Sequence, residues 1–314
     1  MTTIRSTVSV PTFFIVGAPR CGTTSLSRYL ASHPRVFMCS PKEPHHFGSD
    51  LPRRFWTPYT DREAYLRLFD AAGDRRAGDA STHYLYSRAA PGEMLTVSPD
   101  ARILIMLRDP VEMVRSVHDH AMFFGYEDLP DLEQALAAQE DRRQGRRVPR
   151  LCHYPLALQY TFTARYAAHV RRYLDAFGRE RVKILLFDDL KARAEETYHE
   201  TLAFLGLPPA GSPDFSVHNE ARRWRSPGIA RVALSAYYPA YRVWVRSPDR
   251  FRGKFVFGLA ILLVRLQARF NMGGGRSQMP PELGARLREH FQDDLGELQD
   301  LIGRDLSSWL PRSR

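Results

Sequence analysis

Lysine is nearly missing from this 314-residue chain: only Lys42, Lys183, Lys191 and Lys254 occur among 45 basic residues, and the remainder are arginine. That imbalance reads as coding bias, and it means arginine can stand where a related chain carries lysine. Cysteine is as scarce. Cys21, Cys39 and Cys152 are odd in number and far apart, which excludes a disulfide framework and matches no zinc-ligand spacing. No apolar run approaches the ~18 residues that span a bilayer, so an integral membrane protein is excluded. The short run TFFIVGA near the start leads straight into a glycine-rich segment. A secretory leader needs a longer apolar stretch and a small-residue cleavage site, so the expected location is cytoplasmic. Hydrophobic residues at 44% and charged residues at 25% exclude a disordered or collagen-like chain.

What is present is positive charge, a net +10. A basic chain suits anionic partners such as nucleotides, sulfated ligands, nucleic acid or anionic lipid, and charge alone does not choose among them.

Apolar patterning gives an alternation of strands and helices. Phe13–Gly17 reads as a buried strand, Gly22–Ser32 as a helix, and Val36–Met38 as a short strand. Arg62–Phe69 reads as helix and Arg102–Leu107 as a central parallel strand. The adjoining DPVE is a helix start, with Asp109 as cap, Pro110 in the first position and Glu112 reaching back to the cap. Asp141–Arg150 reads as an exposed basic loop, Leu156–Phe177 as one long helix, and Val182–Phe187 as a strand. Glu195–Leu205 forms a helix closed by Gly206, and a final helix carries Leu283, Leu287, Phe291, Leu295, Leu298 and Ile302 before Gly303. This pattern predicts an α/β protein with a P-loop-like central parallel sheet flanked by helices. It is expected to be one domain over 1–314: residues 13–208 hold the sheet and cofactor site, and 209–314 a basic closing loop and a helical C-terminal elaboration. The segment Ile229–Phe270, with FVFGLAILLVRL, reads as a buried helix pair, the alternative being a surface helix in peripheral contact with membrane.

The sharpest chemical signal is GAPRCGTTS, Gly17 to Ser25, between a strand and a helix. A glycine-rich turn there directs backbone N–H groups into a concavity at the positive end of a helix, a phosphate or sulfate nest. Thr23, Thr24 and Ser25 add hydroxyls and Arg20 a fixed charge. Gly17 and Gly22 have the spacing of a nucleoside-triphosphate loop, but Thr23 stands where its lysine belongs. A kinase or ATPase would thereby lose its main phosphate contact. A nucleic-acid-binding protein should show a reading module or aromatics interleaved with basic residues, and neither is found.

The arrangement resembles the sulfotransferases that use 3′-phosphoadenosine 5′-phosphosulfate (PAPS). Their first signature, a basic residue, a small residue and Gly-Thr-Thr, is matched by Arg20, Cys21, Gly22, Thr23 and Thr24. Their second, an arginine ending a strand and a serine eight residues on that grip the 3′-phosphate, is matched by Arg108 and Ser116 in RDPVEMVRS. KEPHHF, Lys42 to Phe47, resembles the carbohydrate branch akin to the heparan sulfate enzymes, whose glutamate base maps onto Glu43; His45 is the competitor. The resemblance further implies that Tyr166 lies near the nucleotide and that Arg222 and Arg225, in HNEARRWRS, belong to a loop closing over PAPS. Asp79-Ala80-Ser81 falls where many relatives have an acidic residue, lysine, and Thr or Ser, so the lysine is lacking at Ala80. These matches imply in-line sulfuryl transfer from PAPS, without a metal, to a hydroxyl (or, as the lesser alternative, an amine) of a carbohydrate, glycolipid or small-molecule acceptor. No nucleic-acid partner is expected.

Overall fold

In the computed structural model the described residues are 9–52, 59–215, 222–246, 251–275 and 277–311. The apolar runs become a five-stranded parallel sheet. Its strands are β1 (Phe13–Gly17), β2 (Val36–Met38), β3 (Arg76–Asp79), β4 (Arg102–Leu107) and β5 (Val182–Leu186), in the order β2-β3-β1-β4-β5. The continuous apolar composition of β1 and β4 matches their place in the middle, because helices cover both faces of a parallel sheet. All five β1 residues and the last five of β4 are buried. Burying a Phe, Ile or Leu side chain is worth about 1.5–3 kcal/mol, so this pair of strands forms the centre of the core. Sequence patterning passed over β3, RAGD, which has little apolar content. Gly78 explains it, because a Cβ there would lie 2.2 Å from the Phe13 ring: strand and neighbour meet only through glycine.

The helices are α1 (Thr23–Ala31), α2 (Arg62–Leu66), α3 (Ala90–Val97), α4 (Pro110–Phe123), α5 (Leu132–Ala137), α6 (Gln139–Arg143), α7 (Tyr160–Ala164), α8 (Ala167–Phe177), α9 (Phe187–Ala192), α10 (Ala194–Phe204), α11 (Pro227–Arg246), α12 (Phe251–Asn271) and α13 (Pro281–Ile302). A short antiparallel pair, β6 (Arg222–Trp224) with β7 (Met272–Gly274), ties the ends of the α11–α12 hairpin together. The α13 stripe Leu283, Leu287, Phe291, Leu295 and Leu298 is buried, and Gly303 ends the helix in the left-handed conformation at φ 64°, as the pattern predicts.

Four expectations are corrected. The helix expected over Leu156–Phe177 is broken: a 3₁₀ turn, α7 and α8 replace it, with Arg165 extended between the last two. The break is held from outside, because the Asp294 carboxylate of α13 accepts from the N–H groups of Tyr166 (2.7 Å) and Ala167 (3.3 Å) and caps α8. Glu112 does not reach back to cap α4. Asp109 alone accepts from Val111 and Glu112 N–H, while the Glu112 carboxylate turns to Arg108 and Arg115. Asp141–Arg150 is not wholly an exposed loop, since Arg142 is buried in an ion pair with the equally buried Glu127 at 2.6 Å. Tyr160 also donates to that carboxylate, so the charges are matched and hydrogen-bonded, as burial requires. Finally, the α11–α12 pair is not buried on all sides: Phe255, Leu259, Leu262, Leu266 and Phe270 are half exposed or more.

Candidate active site

The loop between β1 and α1 is shaped by two left-handed residues, Arg20 (φ 64°) and Gly22 (φ 90°). A Cβ on Gly22 would come within 2.9 Å of the Phe187 ring, so only glycine permits both the turn and the close packing. Gly22 is the N-cap of α1, and no side chain caps that end. The helix therefore presents its positive N-terminus to whatever lies over the loop. Cys21 faces inward. Its thiol is fully buried beside Tyr166, burial pushes that thiol up to about 12, and its N–H donates to the Ala18 carbonyl. Cys21 and Tyr166 thus support the loop from below and do not line the cavity.

Arg20 is the hub of the donor side. Its Nε donates to Ser116 Oγ at 3.2 Å, and Arg108 Nη1 reaches its carbonyl oxygen at 3.5 Å. Arg108 is held in place by Glu112 (3.1 Å) and by the Phe187 ring, 4.7 Å below the guanidinium. Arg20 from the first signature and Arg108 with Ser116 from the second are thereby brought together. Thr23 and Thr24 line a cavity with Arg20; Ser25 is not among its walls. Arg225 is exposed and donates its backbone N–H to Asn271. The side chain of Arg222, with residues 216–221, lies outside the described residues. The end of β6 is anchored on α4: Trp224 stacks on Phe123 at 4.5 Å and donates to its carbonyl.

The opposite wall is built from the segment after β2. Glu43 (φ 61°) and His45 (φ 49°) both take left-handed backbone, so the chain turns there and is not an extended strand. The two side chains nonetheless meet, with His45 Nε2 3.3 Å from Glu43 Oε2, and Lys42 pairs with the same carboxylate. Burial opposes the charge on Glu43. The hydrogen bond from His45 and the charges of Lys42 and His45 outweigh it and hold the carboxyl well below its usual range. Glu43 lines the cavity and His45 stands behind it.

A buried network sets this wall. Asp79, at the end of β3, accepts from Tyr65 Oη (2.9 Å), Tyr84 Oη (3.0 Å) and Ser81 Oγ (2.7 Å). Ser81 Oγ then accepts from His45 N–H, and Tyr84 Oη from His46 and Phe47 N–H. The acidic residue of the Asp79-Ala80-Ser81 segment is therefore a strap for the base loop, and Ala80 is buried.

The cavity measures about 290 Å³. Its walls include two histidines that no sequence motif marks, His83 and His120. Burial, with the neighbouring His45 charge, pushes His83 down to about 3. Burial and the Arg20 charge push His120 to about 3 as well. Both imidazoles are neutral near pH 7 and can donate or accept a hydrogen bond. Phe124, Tyr126 and Tyr154 add aromatic surface. No local signal marks those two histidines, because only the fold brings the end of α4 over the 3₁₀ turn Thr82–Tyr86.

Residues 11–222 match the family model described as a sulfotransferase domain. The chain belongs to the sulfotransferases. The rat protein named carbohydrate sulfotransferase 15 (Rattus norvegicus) is 29% identical over 269 residues, 69% of this chain and 46% of that protein. A human protein named bifunctional heparan sulfate N-deacetylase/N-sulfotransferase 3 is 25% identical over 212 residues, 64% of this chain and 23% of its own length. This sulfotransferase thus spans about half the length of the first relative and a quarter of the second. Among solved structures, a sulfotransferase from Alicyclobacillus acidocaldarius is similar at a TM-score of 0.71 and 32% identity, over 96% of this chain and 99% of that one. That likeness extends through the P-loop-like core and the helical C-terminal part.

Proposed function

We propose that this sulfotransferase moves the sulfuryl group from PAPS to a hydroxyl of a carbohydrate or glycolipid. The observation that carries the reading is that Arg20 and Thr24, on the donor loop, share one cavity with Glu43. The 5′-phosphosulfate end of the donor would lie over the Arg20–Thr24 turn, and Arg108 and Ser116 would hold the 3′-phosphate. The acceptor oxygen attacks sulfur in line as the bond from sulfur to the bridging phosphate oxygen breaks. Glu43 takes the acceptor proton, and Arg20 with the loop N–H groups stabilises the negative charge left on the departing nucleotide. Neutral His83 and His120 would orient acceptor hydroxyls, and the aromatic walls suit the apolar face of a sugar. The names of the relatives support a carbohydrate acceptor. The three buried free thiols support a reducing, cytoplasmic setting.

The test is thermal stabilisation without magnesium by adenosine 3′,5′-bisphosphate against ADP. A ligand at 100 times its dissociation constant adds about 2.7 kcal/mol, so the bisphosphate should raise the melting temperature clearly more than ADP does. Equal shifts from the two nucleotides would refute the PAPS assignment.

A further inference from the structure

In α13 the apolar stripe faces the core, as in ordinary surface helices. In α12 both sides are apolar. Phe257, Ala260, Ile261 and Val264 lie on the inner side, and Phe257 packs on Tyr237 and Tyr241 of α11. The outer side is apolar too: Phe255, Val256, Leu259, Leu262, Leu263, Leu266 and Phe270 are 45–74% exposed. At 100° per residue these seven fall within an arc of roughly 120°, a continuous ridge about four turns long. On α11, Ile229 (57% exposed) and Val232 (73%) repeat the pattern opposite the buried Leu234 and Tyr238. So much clustered exposed apolar surface marks a contact face.

The surrounding charge says what covers it. Residues 227–270 hold eight basic residues and one acidic, Asp249, so this segment carries seven of the chain's ten net positive charges. Among those whose side chains are described, Arg231, Arg265 and Arg269 are exposed, and Arg265 and Arg269 fall at one edge of the α12 ridge. A second copy of the chain would set this cationic surface against its own like. An anionic bilayer surface accepts the ridge among its acyl chains and the arginines among its phosphates. Among the described residues no helix is long and apolar enough to cross a membrane, so the ridge would lie in the surface and not span it. We propose that the α11–α12 hairpin docks this sulfotransferase on anionic phospholipid membrane. Its inner face is fastened beside the cavity, since Tyr238 Oη donates to the carbonyl of Phe124 at 2.8 Å and its ring lies 5.7 Å from that of Tyr126.

The experiment is flotation of the full chain with phosphatidylglycerol/phosphatidylcholine vesicles and with phosphatidylcholine vesicles, at physiological salt. Binding to the anionic vesicles is expected, at least ~10-fold weaker to the neutral ones. The double variant Leu259→Ser/Leu263→Ser should lose at least ~10-fold of it. Arg265→Gln/Arg269→Gln should weaken binding and flatten its salt dependence. Both variants should keep the wild-type response to adenosine 3′,5′-bisphosphate, which shows they are folded. No flotation of the wild type, or equal flotation of the variants, would overturn the proposal. So would a wild-type dimer in solution that the Leu259→Ser/Leu263→Ser change converts to monomer. None of these readouts involves sulfuryl transfer, so docking and catalysis stand or fall separately.

Discussion

At the scale of single residues, the candidate base is unusual for the company it keeps. A carboxylate held far below its ordinary range is a weak base, and Lys42 and His45 are what hold Glu43 there. A donor anion bound over the neighbouring Arg20–Thr24 turn would oppose the negative charge on Glu43 and so raise its carboxyl back toward the ordinary range. Glu43→Gln is expected to lower kcat by ~100- to 10,000-fold with bisphosphate affinity unchanged. His45 touches the carboxylate without lining the cavity, so it is a positioning residue whose loss should lower kcat more than it raises KM. Removing it also removes a group that lowers the Glu43 carboxyl, so the acidic limb of the pH–rate profile should move upward in His45→Ala. A limb that stays in place would mean that His45 does not set the Glu43 carboxyl, and an active Glu43→Gln beside a dead His45→Ala would make His45 the base.

At the scale of elements, the site depends on how β3 ends. Asp79 is fully buried, and burial raises its carboxyl despite the three hydroxyls that donate to it. Through Ser81 and Tyr84 it fixes the backbone of His45, His46 and Phe47. Asp79→Asn exchanges an acceptor for a donor in a closed network, so a hydroxyl is left without its partner, at a cost of roughly 1–3 kcal/mol. The expected outcome is a lower melting temperature together with a loss in kcat, while bisphosphate binding at the Arg20 loop is spared. A variant that loses stability and keeps full turnover would show that the strap serves only folding.

At the scale of the whole molecule, buried histidines couple stability to pH. His83 and His120 lie near 3 and His169 near 4, all depressed first by burial from an ordinary 6.5. Unfolded, these rings bind protons below pH 6.5 that the native protein refuses, so their contribution is full above that pH and is lost as pH falls toward 3–4. Glu43, lowered from 4.5, acts in the same sense: its contribution is present above 4.5 and lost as pH falls. Each titrating site changes stability by at most about 1.4 kcal/mol per pH unit. The melting temperature should therefore fall between pH 7 and pH 5, and His83→Gln/His120→Gln should flatten that slope. An unchanged slope would mean that both rings are already protonated in the native protein.

Local pattern and short motifs determined much of this protein. The strands β1, β2, β4 and β5, the glycine turn at Gly22 and the stop at Gly303 are legible because each rests on neighbours in the chain, whereas the pairing of RDPVEMVRS with the donor loop is legible only through the family resemblance, since Arg20 and Ser116 lie 96 residues apart. Periodicity, capping and left-handed glycines are short-range physics. Only the tertiary structure decided that β3 forms without an apolar run, since its place depends on Phe13 across the sheet. The same holds for Asp294 cutting one helix into two from a distance of more than a hundred residues. Tertiary structure also decided that Asp79 straps the base loop, that His83 and His120 line one cavity, and that Arg142 is buried. Each of these depends on a partner remote in sequence, and burial of a polar group is favourable only once that partner has arrived. The apolar segment 255–266 shows the limit most plainly. Its composition is equally good for a core and for a contact surface, and only the packing of α12 on α11 turns one apolar face inward and leaves the other outside.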